Sequence, residues 1–132
     1  MSANHLELVK QVAQDLETII DKTDSLVFWP ITWDDSYSLL RELETAVEQI
    51  DTLSKQLAPI YFDDSFWNDP QNKDFVENIE EANNCFTAFS WHFSRIGSVL
   101  EEEGPKEWYD EDYDYLSAQL KKAKQHLDQI LM

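Results

Sequence analysis

Glycine, proline and cysteine are all scarce in this chain of 132 residues. It contains two glycines, four prolines and a single cysteine, Cys85. With so few glycines the sequence has no phosphate-binding loop, dinucleotide fingerprint or nucleophile elbow. One cysteine cannot form an internal disulfide, and this is typical of proteins from a reducing compartment. We therefore expect a cytoplasmic protein that has no bound cofactor.

Basic residues are also scarce, since ten Lys and Arg face 27 Asp and Glu and the formal net charge is -17. Binding to nucleic acid requires cations that neutralise phosphates, so a direct nucleic-acid ligand is excluded. An anionic membrane surface is disfavoured for the same reason. The N-terminus has no basic segment followed by an apolar run, and no apolar stretch reaches the length of a membrane span.

Hydrophobic residues make up 42% of the chain and aromatic residues 13%. This is too apolar for a disordered acidic tail, so the chain should fold. Its length fits one domain over residues 1–132, with a core that needs no metal or disulfide. Apolar residues recur at intervals of three and four, which is the helical period.

The helical period predicts four amphipathic helices. The first ends near Lys22, and the second begins near Asp34–Ser36 and stops at Pro59 because proline lacks a backbone donor. The third follows the cap Asp69-Pro70 and ends at Gly104-Pro105. The predicted core positions on the four helices are Leu6, Val9, Ala13, Leu16 and Ile20; Leu39, Leu43, Ala46, Ile50, Leu53 and Leu57; Phe75, Ile79, Ala82, Phe86, Phe89, Phe93, Ile96 and Leu100; Tyr113, Leu116, Leu120, Ala123, Leu127 and Ile130.

Four helices of similar length with short connections predict an all-α fold, an antiparallel up-down-up-down four-helix bundle. In such a bundle the connections 23–35 and 103–110 lie at one end, which we call the first end. The connection 60–69 lies at the opposite end with both termini. Residues 101–115 hold eight acids against Lys106, and three of the five tryptophans belong to the first end.

Catalytic and metal chemistry find little support in the sequence. None of the three histidines has a glutamate three residues before it, so the sequence contains no Glu-x-x-His pair. We therefore expect solvated or surface hydrogen-bonded roles for His5, His92 and His126 and no metal site. Cys85 lies in the Phe-rich third helix without a basic neighbour in sequence, which favours a buried structural role over a reactive one. The phenylalanines of that helix fit a core better than a cofactor pocket. We expect no enzymatic activity.

The acidic and aromatic first end instead predicts a non-enzymatic protein-binding protein. Its partner would be a basic protein such as a nuclease or another nucleic-acid-binding protein. The most specific hypothesis is an inhibitor of the immunity-protein, antitoxin or DNA-mimic kind, with carboxylates that stand where phosphates would lie. The candidate partner-binding residues are Trp29, Trp33, Asp34, Asp35, Glu101, Glu102, Glu103, Trp108, Tyr109, Asp110 and Asp112.

An alternative function is a helical adaptor or chaperone-like assembly subunit whose acidity serves mainly solubility, since charge runs are often only solvated faces. Its contact would be an apolar helix face, for which Leu40, Val47, Val76 and Val99 are candidates. The helical period does not say whose surface covers each stripe, so both a monomer and a homodimer are compatible with it. Trp91 falls outside the stripe of core residues on the third predicted helix, so we expect it to be partly exposed. A third possible function is a metalloprotein with carboxylate ligands inside the bundle. It would require stoichiometric metal in the purified protein.

Overall fold

The computed structural model describes residues 3–25, 33–103 and 109–132, with the backbone alone at residue 3 and at 33–39, 99–103 and 109–113. These residues are helical with no strand, which confirms the predicted all-α class. The helices are α1 (Ala3–Asp24), α2 (Trp33–Gln56), α3 (Ala58–Tyr61), α4 (Asp64–Trp67), α5 (Lys73–Glu103) and α6 (Tyr109–Leu131), with a 3-10 turn at Pro70–Asn72.

Proline and aspartate set the helix boundaries between α2 and α5. Helix α2 ends at Gln56, three residues before Pro59, and the proline lies in the first turn of α3, where no intrahelical donor is needed. Asp69 caps as predicted, because its side chain accepts a hydrogen bond of 2.9 Å from the backbone of Gln71. The cap starts the 3-10 turn, and α5 follows at Lys73.

The connection 60–69 is more ordered than the predicted loop, because it contains the end of α3 and all of α4. Ile60 and Phe66 are both buried there. The side-chain amide of Asn72 donates to the carbonyl of Phe66 at 3.1 Å, and the rings of Phe66 and Phe75 meet edge to face at 4.9 Å. Burial of these apolar side chains holds the connection against the core.

The long helices pack around a common core, in which α1 contacts α2 and α6 while α5 contacts the same two helices. The predicted stripes are confirmed at most of the described core positions. Leu6, Ile20, Phe93 and Ile130 are only partly buried, whereas Val12 and Ile19 belong fully to the core. Tyr113, Leu39 and Leu100 lie among the residues whose side chains are outside the described part.

None of the helices in the described ranges is long and apolar enough to cross a membrane.

Candidate functional site

The predicted partner-binding residues fall at the boundaries of the described chain. Trp29 and Trp108 lie outside the described residues. Trp33, Asp34 and Asp35 form the first turn of α2, Glu101, Glu102 and Glu103 the last turn of α5, and Tyr109, Asp110 and Asp112 the start of α6. The side chains of these nine residues are also outside the described part. The prediction that they form one binding surface therefore stays a prediction.

The last turn of α1 contacts both α2 and α6. Near its C-terminus, the Lys22 ammonium lies 3.7 Å from the carboxylate of Glu42 on α2. Asp24 accepts a hydrogen bond of 3.2 Å from the Ser117 hydroxyl and lies 3.4 Å from the Lys121 ammonium. Both α6 residues follow the acidic start of that helix within about three turns. These contacts therefore lie in the N-terminal half of α2 and near the middle of α6.

Acidic side chains are displayed on the surface of every long helix. None of the acids with a described side chain is buried. Many lysines are already paired with acids of the same chain: Lys22, Lys55, Lys73, Lys121 and Lys124 each lie within 4.0 Å of a carboxylate. Internal pairing thus uses much of the basic charge and leaves a large excess of solvated carboxylates.

A row of acids on α2 illustrates this excess. Glu44, Glu48 and Asp51 are exposed and recur at intervals of four and three, so they share one face of the helix. Of the three, Asp51 pairs with Lys55 at 2.9 Å. Like charges at this spacing repel each other, so the row lowers the stability of the isolated helix.

His5 was expected to be solvated or hydrogen-bonded at the surface, and it is hydrogen-bonded but buried. It is only 7% exposed, and its Nε2 atom lies 2.9 Å from the carboxylate of Asp63. The imidazole also meets the Phe66 ring edge to face at 4.8 Å. Asp63 accepts a further bond of 3.2 Å from the backbone of Phe66, as the N-cap of α4. The pair fastens the start of α1 to the connection between α2 and α5.

The hydrogen bonds from His5 and Phe66 lower the pKa of Asp63 below its ordinary value of 3.8. A carboxyl group whose folded-state pKa is depressed stabilises the fold above the unfolded-state pKa, and this contribution is lost as the pH falls through the folded-state value. Asp63→Asn should therefore lose less stability than the wild type between pH 7 and about pH 2 in denaturant unfolding. Asp64→Asn, at the exposed neighbouring acid, is the control and should follow the wild type. Equal losses in all three proteins would contradict the assigned role.

The other two histidines also make specific contacts. Nδ1 of His126 donates to the Asn78 side chain at 2.9 Å, and His92 stacks on Tyr115 with ring centroids 4.3 Å apart. No group of three or more His, Cys, Asp or Glu side chains within the described part is arranged to hold a metal ion. Cys85 is buried as expected, and burial raises the pKa of its thiol, so it is a poor nucleophile.

Two shallow grooves cross the described surface. One, of about 280 Å³, lies between α1 and α2, with Ile19 and Leu53 at its base and Asp15 at its rim. The other, of about 350 Å³, lies beside α5 and is lined by Tyr61, Trp67, Glu80, Asn83 and Asn84. Both are open to solvent, and the lining of neither contains cysteine or histidine.

Tyr61 in the second groove is half-buried beneath Trp67, whose ring meets it edge to face at 5.7 Å. Burial raises the pKa of Tyr61 to about 12, and the neighbouring Ser54 hydroxyl offsets part of this effect. The neutral phenol is thus favoured in the fold, a stabilisation that is present below pH 10.0 and lost as the pH rises through about 12. We expect absorbance titration to show a late ionisation that is missing in Tyr61→Phe. An unchanged titration curve would contradict this assignment.

The exposed face of α5 was not predicted as a site. Trp91 is 76% exposed, although the sequence predicted only partial exposure. It lies in the segment 82–100, which contains no acid and whose only basic residue is Arg95. In a chain with 27 acids this gap is itself a signal, and it is readable from the sequence. We call Asn84, Ala88, Trp91 and Arg95 the α5 face; all of them are exposed except the half-buried Ala88.

Comparisons of this chain with protein-family models, with curated proteins and with solved structures find no match. The molecule is therefore characterised by its own fold and surface: an all-α protein with a solvated excess of carboxylates and one helix face free of acids.

Proposed function

We propose that this protein is a non-enzymatic inhibitor that binds a basic, nucleic-acid-handling protein and occludes its binding groove, as immunity proteins, antitoxins and DNA mimics do. The observation that carries the proposal is the state of its charges. None of the described carboxylates is buried, while most lysines are held in pairs within the chain. The excess acid is thus free to attract cations on another molecule.

Occlusion requires the acids to be dense on one surface, and we propose the first end as that surface. An antiparallel up-down-up-down bundle would bring the start of α2, the end of α5 and the start of α6 together there. Contacts between residue pairs support this arrangement. On α6, His126 contacts Asn78 of α5, whereas Tyr115 contacts His92 of α5. The residue numbers therefore increase along α5 in the direction in which they decrease along α6.

The same inverse order relates α1 to α6, because Glu17 lies 3.8 Å from Lys124 whereas Asp24 lies 3.4 Å from Lys121. At the opposite end, His5 contacts Asp63. These pairs favour helices that alternate in direction, with α1 and α5 pointing toward the first end.

In the proposed complex the carboxylates occupy the positions of phosphates. Duplex DNA presents about one negative charge per 1.7 Å of its axis, and a basic groove is shaped to neutralise such a row. The carboxylates would be those of Asp34, Asp35, Glu101, Glu102, Glu103, Asp110 and Asp112. Trp29, Trp33, Trp108 and Tyr109 would supply buried area, since aromatic anchors dominate the energies of many interfaces. The two proteins would meet in the cytoplasm.

Three of the four residues that the sequence offers as an adaptor face pack against the core. Leu40, Val47 and Val76 are partly buried and pack against the core, and the side chain of Val99 is outside the described part. What still favours an apolar contact is Trp91 on the α5 face. Ionic strength separates the two functions, because electrostatic occlusion weakens with added salt whereas apolar packing hardly responds.

Affinity capture tests the proposal. The immobilised protein is exposed to an extract of its source cells, and the retained proteins are eluted with a salt gradient and identified by mass spectrometry. We expect a strongly basic nucleic-acid-binding protein that elutes with rising salt, and whose nuclease or DNA-binding activity falls when the acidic protein is added back. A retained partner that is acidic or neutral, and whose elution ignores salt, would favour the adaptor instead.

A further inference from the structure

We propose that the α5 face pairs with the same face of a second copy, in an antiparallel arrangement with Ala88 at the two-fold axis. The proposal concerns a surface distinct from the first end and does not depend on the identity of the basic partner. It rests on the acid-free segment 82–100, on the exposure of an aromatic side chain within it, and on a self-complementary charge pattern formed by Arg95 and by Glu81, the acid just before that segment.

The residues of the α5 face share one side of the helix with Glu81, the acid that precedes the acid-free segment. Glu81, Asn84, Ala88, Trp91 and Arg95 follow one another at intervals of three, four, three and four, the spacing of a coiled-coil seam. All are exposed except Ala88, which is half-buried. The core of the protein covers the opposite side of α5 through residues such as Phe89. The seam is therefore available to another molecule.

Electrostatics limits where a second copy can approach. Two chains with a charge of -17 each repel one another over most of their surfaces. Residues 82–100 contain no acid, so a contact centred on them avoids the closest like-charge pairs. A contact centred on this acid-free segment fits a second copy better than it fits the basic partner, which would be steered to the acidic surfaces.

The charge pattern of this face selects the antiparallel direction. Glu81 lies seven residues before Ala88 and Arg95 seven residues after it. A two-fold axis at Ala88 therefore places each Arg95 opposite Glu81 of the second copy, twice per dimer. Among the described side chains neither residue has an ion pair within its own chain. Both charges are thus available for pairing between copies.

The sizes of the side chains on the α5 face also favour antiparallel pairing. At the axis the small Ala88 allows the two helices to approach closely. Trp91, three residues from the axis, would cover Asn84 and Ala88 of the second copy. The acid-dense last turns of the two α5 helices would point in opposite directions, about 40 Å apart at 1.5 Å per residue. That separation is several Debye lengths at physiological salt, whereas parallel pairing would place Glu101–Glu103 of both copies side by side.

Sedimentation analysis of charge-reversal variants tests the pairing. We expect the wild type to dimerise reversibly at roughly micromolar to hundred-micromolar concentrations, as for a small interface. Arg95→Glu and Glu81→Arg should each weaken dimerisation about ten-fold, because each replaces two attractive pairs with two repulsive ones. An equimolar mixture of the two variants should form a heterodimer at wild-type strength, since its pairs are again opposite in sign. A wild type that stays monomeric, or variants that dimerise unchanged, would overturn the proposal.

The aromatic contact has its own test and control. Trp91→Ala should weaken dimerisation about 30-fold, because the side chain is removed twice per dimer. Phe62→Ala is the matched control, since Phe62 is 82% exposed and lies outside α5. It should dimerise like the wild type. Equal effects of the two substitutions would mean that any exposed aromatic promotes association and would overturn the assigned face.

Cross-linking tests the direction of pairing. Under a mild thiol oxidant, Ala88→Cys should form a disulfide-linked dimer, because the two thiols meet at the axis. Ser98→Cys, on the same exposed side of α5, should not, since antiparallel copies would hold its thiols about 30 Å apart. Efficient cross-linking through Ser98→Cys would overturn the antiparallel arrangement.

Salt separates this proposal from the proposed inhibition. Added salt screens the repulsion between two acidic copies and should strengthen self-association, whereas it should weaken binding to a basic partner. Failure of one proposal therefore leaves the other open to its own test.

Discussion

Replacing Phe89 with alanine should lower the free energy of unfolding by about 3–5 kcal/mol. Phe89 is the largest side chain in the core that is completely inaccessible to solvent. Its removal costs the transfer free energy of the ring and leaves a cavity that the surrounding helices fill only in part. A domain of this size has a total stability of about 5–15 kcal/mol, so urea unfolding should show a large shift of the midpoint.

Trp91→Ala is the matched control on the same helix. Trp91 lies two residues further along α5 and is 76% exposed. Its removal should change the free energy of unfolding of the monomer by less than about 0.5 kcal/mol, since surface substitutions away from special features are nearly neutral. Both proteins are compared at concentrations too low for self-association. A cost at Trp91 that equals the cost at Phe89 would contradict the assignment of the core side of α5.

The second large effect concerns the first end. Neutralising the last turn of α5 by Glu101→Gln, Glu102→Gln and Glu103→Gln should slow association with the captured basic partner about ten-fold or more at low salt. The reason is that a dense cluster of charge steers a basic protein during diffusion, and long-range attraction acts mainly on the association rate. Stopped-flow fluorescence provides the measurement.

A triple substitution on α2 is the control for net charge. Glu44→Gln, Glu48→Gln and Asp51→Asn also remove three negative charges, but from an exposed row in the middle of a helix. We expect a smaller effect, because these acids lie more than two turns from the end of α2 that begins at Trp33. If both triple variants slow association equally, the partner responds to total charge and the first end is not the binding surface.

The core and the helix class were predictable from the sequence for a simple physical reason. A helix that must bury one stripe needs apolar residues at its period, and this pattern appears in the sequence whatever the partner helices are. Leu43, Ile79 and Leu120 illustrate this, since all three are predicted core residues and all are fully buried. Pro59 is another local signal, because a proline disfavours the continuation of a helix through it. The sequence places the end of the second helix at Pro59, and α2 ends three residues before it.

Contacts that are distant in sequence could not be predicted in this way. His5 was expected on the surface because no local pattern reveals its partner Asp63, which is 58 residues away. Helices α3 and α4 were not predicted for the same reason. The connection that contains them includes Asp63, Asp69 and Pro70 and therefore has the composition of a loop. Its order comes from burial of Ile60 and Phe66 against other helices.

The α5 face shows a signal of another kind. Periodicity identifies the buried side of a helix but says little about its exposed side, where any polar residue is acceptable. The absence of acids over residues 82–100 was present in the sequence, yet its meaning depends on Trp91 and Arg95 lying on one exposed side.

Displacement of labelled duplex DNA from the captured basic partner tests the proposed function most directly. We expect the wild-type protein to release the DNA stoichiometrically, because its carboxylates and the phosphates compete for the same cations. The Glu101→Gln, Glu102→Gln, Glu103→Gln variant should require about ten-fold more protein for the same release. A stable ternary complex of partner, DNA and acidic protein would contradict occlusion of the nucleic-acid-binding groove.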